Sequence, residues 1–500
     1  MKKRAQPPNA QTFTIIFRGC AKSAHPKLAV GEAVKLYQHM LSVGRIKPNT
    51  IHLNAVLQVC AKAEDLDSMF GVLGSSNDAL RSPNNLTYTT ILNALRSAVI
   101  RQFVSDDPSR GLAENEIEKK KQATIQRAKS IWEEVISRWR AGSLIIDEEL
   151  VCAMGRILLM GGYLDADYIE SLIEQTMMIP RVENKGLLKP QGTEDTAIAR
   201  KKSVIKAPGA PAITHAVPGN NSLSMILEAL EKTRRSTKAV KYWNVFTREH
   251  NVIPDADNWI RLLKVYNTGK NSGRASIILN LMPRDMLTQK HVRLAMKACL
   301  RDNLNKSALQ NATAVLKTMG ENFKIPDIQS LRTYLQVAHA SKRSFDIKAK
   351  EDYAGAMDSW AKNLFAAIEH VSRPYDAVVE EYFTKSSSVS DTKSLEQLQN
   401  SKAEVVALAR KMSATCDILT HEHMASLTEV QLTKMNLIYS GLTRFINRYF
   451  ETQRRGKLAG EQDVVEDNKS KQQDNSQYGK LRRLEDADGR SLEGKFADRI

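Results

Sequence analysis

The chain has 500 residues, with 73 Lys and Arg against 56 Asp and Glu, a formal charge of +17 at pH 7. Such an excess favours a polyanionic partner or an anionic surface over a small cytosolic metabolite. Hydrophobic residues make up 42%, which excludes a wholly disordered chain, and no run approaches the ~18 to 20 apolar residues of a membrane helix, so a soluble protein with a sizeable core is expected. Cys20, Cys60, Cys152, Cys299 and Cys416 are odd in number and form no C-x-x-C pair, which fits a reducing compartment better than a disulfide framework or a zinc ribbon. Lys2, Lys3 and Arg4 run straight into Pro7 and Pro8, so no targeting peptide is readable.

In chain order, Pro8 and Asn9 precede AQTFTIIFRGCAK, Pro48 and Asn49 precede TIHLNAVLQVCAK, and Pro83 and Asn84 precede NLTYTTILNAL, at spacings of 40 and 35 residues. Each stretch places apolar residues at i, i+3, i+4 and i+7: Phe13, Ile16, Phe17, Cys20; Leu53, Val56, Leu57, Cys60; Tyr88, Ile91, Leu92, Leu95. That spacing gathers four side chains on one face of a helix. The template recurs from Leu223, Trp259, Val292 and Leu331, and more weakly at Tyr375, Val378, Val379 and Tyr382. Second helical stretches lie between, at 32–41, 66–73, 128–139 and 312–319. A single hairpin of this length cannot bury its apolar face, so neighbours must stack; the expected fold is an all-α solenoid of helical hairpins with an extended concave surface.

Three segments interrupt the pattern. Residues 100–125, with the run ENEIEKKKQ, read as a longer helix or an inserted loop inside the third unit. Residues 181–218, rich in Pro and Gly, read as a flexible linker. The polar tail 451–500 is expected to be disordered. The expected division is thus 8–180, a linker, 219–450 and the tail. The charge is +7 over 1–100, −4 over 101–180, +4 over 181–220 and +10 over 221–450 but zero over 451–500, which places the excess on the helical arrays and their linker rather than on the tail.

PNAQTFTIIFRGCAK followed by GEAVKLYQHM, KPNTIHLNAVLQVCAKAEDLDSM and SPNNLTYTTILNAL resemble the pentatricopeptide repeat proteins, whose units of about 35 residues open like P-D-V-V-T-Y-N-T-L-I, pass through C-K and continue like D-E-A-L-K-L-F-E-E-M. From 219 onward the resemblance rests on the apolar template and on Pro254-Asp255 and Pro326-Asp327, 72 residues apart. It is nearest to fungal mitochondrial members acting on small-subunit ribosomal RNA maturation and group I intron splicing. The resemblance implies a mitochondrial RNA-binding adaptor for rRNA 5′-end processing, RNA stability or splicing, with mitochondrial rRNA or mRNA as partner and small-ribosomal-subunit proteins as further partners. The alternative is a helical-repeat scaffold for proteins, such as a mitochondrial ribosome subunit or assembly factor.

In that family the fifth and last residues of a unit face the base edge, and the second packs on the base. The resemblance assigns these roles to Thr14 with Asn49, Asn54 with Asn84, Thr89, and Ser224 with Asp255, while Ile51 and Leu86 take the second position. Thr and Asn beside helix starts are equally suited to capping, so that reading stands next to base contact. Ile260 and Arg332, at fifth positions, cannot offer the usual amide or hydroxyl. No catalytic residue, metal or cofactor is expected: His421 and His423 are two apart and diverge on a helix, and neither a phosphate loop nor a G-x-S-x-G elbow occurs.

Overall fold

A computed structural model describes residues 8–43, 46–75, 79–103, 114–182, 214–385 and 392–477. The chain forms two compact units, Met1–Glu351 and Asp352–Ile500. In the first, helices alternate as hairpins: α1 (Ala10–Ala21) with α2 (Pro26–Val43), α3 (Thr50–Ala63) with α4 (Leu66–Gly74), α5 (Asn85–Phe103) with α6 (Glu114–Arg140), and α7 (Glu148–Leu158) with α8 (Tyr163–Met177). The series continues as α9 (Asn220–Lys232) with α10 (Ser236–Asn244, extended by a π turn to Glu249), α11 (Ala256–Thr268) with α12 (Ser272–Leu281), α13 (Gln289–Arg301) with α14 (Ala308–Asn322), and α15 (Ile328–Ala340) with α16 (Lys342–Lys348). Every odd-numbered helix packs on the next odd-numbered one, which makes this unit an α-solenoid.

The first helices begin for a common reason. Asn9, Asn49, Asp147, Asp255 and Asp327 each accept a hydrogen bond from a backbone N–H of the first turn, satisfying donors the helix itself cannot. The third residue of several of these helices does more than close the capping box. His52 contacts the Ala10 carbonyl at 3.0 Å, Asn258 donates to the Asn220 carbonyl at 3.0 Å, and His291 contacts the Ala256 carbonyl at 3.3 Å. In each case the third residue of one first helix is bonded to the first residue of the previous one, so capping and stacking use the same side chain. The apolar template forms the core: Leu53, Val56, Leu57 and Cys60 are fully buried, as are Val292, Ala295, Met296 and Cys299. In α1 the template is less covered: Ile16 is exposed and Cys20 half-buried.

Helix α7 carries a copy of the template that the apolar pattern hides. Its third apolar position is Gly155, where a Cβ would fall inside the Met225 side chain of α9. Gly219 serves a similar approach: its missing Cβ lets the Glu148 carboxylate reach the start of α9, where it accepts from Ser222 N and Ser222 Oγ, both at 2.8 Å. Helices α7 and α9 therefore pack directly although 181–218, expected as an interdomain linker, runs between them. The compact units divide at 351/352 instead, because first-helix stacking is continuous across the expected linker. Most of that linker, 183–213, lies outside the described residues, as do 104–113 of the charged insertion; 114–122 belong to α6.

Both ends of the 183–213 segment are fixed to second helices. Val182 N donates to Tyr242 Oη of α10 at 3.2 Å, while Trp139 Nε1 of α6 donates to the Thr214 carbonyl at 2.9 Å and Ala216 N to the Thr176 carbonyl at 2.9 Å. Beneath the first end lies a buried ionic cluster. Glu170 accepts from Lys238 Nζ at 2.8 and 3.0 Å, from Arg235 at 3.1 Å and from Tyr242 Oη at 3.0 Å. Asp167 pairs with Arg181 at 2.6 Å and with Arg235. Partial burial works to raise the Asp167 carboxyl, but the two guanidiniums outweigh it and hold it below its ordinary value of 3.8.

The second unit is a bundle of α17 (Tyr353–Val379), α18 (Thr392–Glu422) and α19 (Glu429–Gln477), each packed on the other two. The weak template copy lies in α17 and the π turn after it; Tyr375 and Val378 are buried, Val379 and Tyr382 only half-buried. Of the 451–500 tail, expected to be disordered, the side chains beyond Arg454 and all of 478–500 lie outside the described residues. Among the described residues, no helix is long and apolar enough to cross a membrane.

Candidate nucleic-acid interface

When the residue after each N-cap is counted as 1, core positions 4, 7, 8 and 11 and the second set 2, 5, 9 and 13 fall on opposite sides of a first helix, the latter within an arc of roughly 80° at about 100° per residue. Position 2 is exposed in all eight helices: Gln11, Ile51, Leu86, Glu149, Asn221, Asp257, Lys290 and Gln329. Because consecutive first helices stack, these positions form rows along one face of the unit.

Positions 9 and 13 carry eight cations of this face, beside Glu149, Asp257 and Lys290 at position 2. Arg18, Arg156, Lys264 and Lys297 stand at position 9, and Lys22, Lys62, Lys232 and Arg301 at position 13. The only acid in either row is Glu228, and Arg261 pairs with it at 2.6 Å. All eight cations are exposed or half-buried. Lys232 also donates to the Leu159 carbonyl at 2.8 Å, at the end of α7. A double row of one sign on a polar face is suited to an extended polyanion.

The fifth positions differ from step to step. Thr14 is half-buried, its hydroxyl donating to the Ala10 carbonyl of its own helix at 3.2 Å, while Asn49 caps α3 by accepting from Ile51 N and His52 N, both at 3.1 Å. Asn54 is only 6% exposed, and both ends of its amide are engaged: Nδ2 donates to Asn84 Oδ1 at 3.1 Å and Oδ1 accepts from Thr87 Oγ1 at 2.6 Å. Asn84 Oδ1 also accepts from Thr87 N at 3.1 Å, so these three residues form one closed network. Thr89 is buried, and so is Cys152 at the fifth position of α7. Ile51 and Leu86 stand out into solvent, 57% and 44% exposed.

At the α9–α11 step Ser224 Oγ accepts from Asn258 Nδ2 at 2.8 Å, and Asp255 Oδ1 caps Asn258 N at 2.8 Å. Ser224 lines a groove of about 320 Å³ together with Asn221, Asp257, Lys264, Lys290 and Arg156. The pairing of Ser224 with Asp255 is thus bridged by Asn258, the third residue of α11. Two helices further on, Arg293 Nε donates to both Asp327 carboxylate oxygens, at 2.9 and 3.1 Å, and closes the fifth position of α13 on the N-cap of α15. The apolar template gave no sign of Arg293 and Asn258 in these roles. For Asn258 the signal available was the polar residue that recurs three places after seven of the eight caps, at 12, 52, 87, 222, 258, 291 and 330; Arg293 had none.

Among the described residues, no three of His, Cys, Asp and Glu stand together in a way that would hold a metal ion. His423 lies edge-on to Trp360, ring centroids 5.3 Å apart. Burial pushes the thiols of Cys60, Cys152, Cys299 and Cys416 up to about 12.

No protein-family model matches the chain, and no curated protein matches it. Among solved structures it is similar to the pentatricopeptide repeat protein PPR10 from maize, at 15% identity and a TM-score of 0.24 over 91% of this chain and 70% of that one. It is also similar to PPR10 in complex with an 18-nt psaJ RNA element, at 12% identity and a TM-score of 0.25 over 90% of this chain and 75% of that one.

Proposed function

We propose that this protein is a binding adaptor for single-stranded RNA rather than a catalyst, laying its ligand along the first-helix face of residues 8–351. The cations at positions 9 and 13 carry the proposal, since they give six of the eight first helices a contact for phosphates beside the second and fifth positions. The pentatricopeptide-like units at 8–95 extend it to a mitochondrial adaptor that occupies rRNA or mRNA and supports small-subunit rRNA 5′-end processing, RNA stability or intron splicing. Thr14 with Asn49 and Ser224 with Asp255 are the pairs best placed to meet base edges, flanked by Ile51 at the second position.

A second reading has one observation in its favour: Val430 and Leu437, a heptad apart on α19, are 68% and 71% exposed, a spacing suited to a helical protein partner such as a ribosomal subunit component. Fluorescence anisotropy of the full chain with a labelled 20-nucleotide RNA separates the two. The adaptor binds single strands, loses affinity steeply with salt and discriminates against duplex DNA. Equal affinity for duplex DNA sinks the adaptor, and protein partners that survive ribonuclease treatment mark the scaffold. A fluorescent fusion outside mitochondria refutes the location.

A further inference from the structure

We infer that the RNA is read as a gapped sequence, with one preferred base at the α1–α3 step, one at the α9–α11 step and three unselected nucleotides between them. The inference rests on the proposed RNA reading and adds to it the pattern of specificity. Helical-repeat readers of this type meet one base per repeat, and two or three side chains decide which. A fifth residue can take part only where its polar atoms are not already committed inside the protein.

At the three intervening steps they are committed or missing. Asn54 has both ends of its amide engaged by Asn84 and Thr87. Thr89 is 4% exposed, and Cys152 is 1% exposed. Prising any of them out would break a buried hydrogen bond or open the core, which costs as much as a base contact returns. At the two outer steps the situation is reversed. Thr14 makes one bond within its own helix, and Ile51, at the second position of α3, is exposed. Ser224 lines the groove, and because its oxygen accepts from Asn258, its O–H is the group it offers a base. Beyond this step Ile260 brings no polar atom, and Arg293 is closed on Asp327.

The test is selection of a randomised 20-nucleotide single-stranded RNA pool on the full chain, followed by sequencing. The expected motif has two selected positions with three unselected ones between. Thr14→Ala should erase the first and Ser224→Ala the second, each by about fivefold at that nucleotide, the worth of one hydrogen bond to a base. Arg293→Ser, which puts a hydroxyl at the fifth position of α13 while Asp327 stays the cap of α15, should add a third selected position two nucleotides beyond the one that Ser224 controls. A contiguous block of selected bases, or a motif unmoved by Thr14→Ala and Ser224→Ala, overturns the gapped readout and leaves RNA binding standing. A pool that is not retained at all overturns both.

Discussion

Asn258 and His291, the third residues of consecutive stacked helices, make the same two hydrogen bonds with different chemistry. Asn258 accepts from Asp255 N at 3.1 Å and donates to the Asn220 carbonyl at 3.0 Å; His291 accepts from Thr288 N on Nδ1 at 3.1 Å and meets the Ala256 carbonyl through Nε2 at 3.3 Å. The histidine can do this only as a neutral imidazole with its proton on Nε2.

Burial holds the His291 imidazole below its ordinary value of 6.5. The unfolded chain therefore takes up a proton at a higher pH than the folded one, so this contribution is complete above about 6.5 and is lost as pH falls toward the depressed folded value. The thermal midpoint of the full chain should drop between pH 7 and pH 5. His291→Asn should fold normally at pH 7.5 and flatten that dependence; an unchanged pH profile in the variant would show that another group controls it.

Glu170→Gln should destabilise the solenoid by roughly 3–5 kcal/mol, because Lys238 would remain buried opposite a neutral amide. Adding Lys238→Met should recover much of the loss. Native-state hydrogen exchange of α8 and α10 reads the effect locally, and a loss below about 1 kcal/mol would mean that water relieves the cluster.

Lys62→Ala and Lys297→Ala each remove one cation from the double row. RNA affinity should fall without any change in base preference, and the slope of log K against log salt should become shallower by about 0.7 for each lysine. A slope that does not move places the RNA elsewhere on the molecule.

Cys20 is half-buried, whereas the other four thiols are buried and held at about 12. A colorimetric thiol reagent at pH 8 should therefore find one fast equivalent, lost in Cys20→Ser, and four more only on denaturation. Rapid labelling of Cys60, Cys152 or Cys299 would reveal local opening of the first-helix layer, and of Cys416 an opening of the α17–α19 bundle.

The hairpin order was readable because the apolar template reports one thing, the face of a first helix that meets its neighbours, and from Leu53 to Ala338 the residues it picks out are buried. It broke where packing was met by something other than apolar bulk. Gly155 left a gap in the pattern because Met225 fills that space from the next helix, and an approach between helices 70 residues apart leaves no periodicity in the chain. The division at 351/352 was illegible for a related reason: Tyr375 and Val378 are as apolar as any repeat residue, although α17 packs in a bundle. For the candidate interface, the sequence identifies which residue types stand at fifth positions. It does not tell that Asn54 would spend its amide on Asn84 and Thr87, or that Arg293 would find Asp327, since those bonds join residues 30 and more apart.

The anchoring of Val182 on Tyr242 and of Thr214 on Trp139 has a consequence for how this gene can vary. Since α7 already packs on α9, and Val182 and Thr214 are each held by a second helix, the stack of first helices does not depend on the chain that joins the two anchors. Changes of length between 182 and 214 should therefore leave the packing of α7 on α9 in place. The same freedom is absent between 158 and 163, where a single added residue would turn α8 out of register with the partners of Glu170.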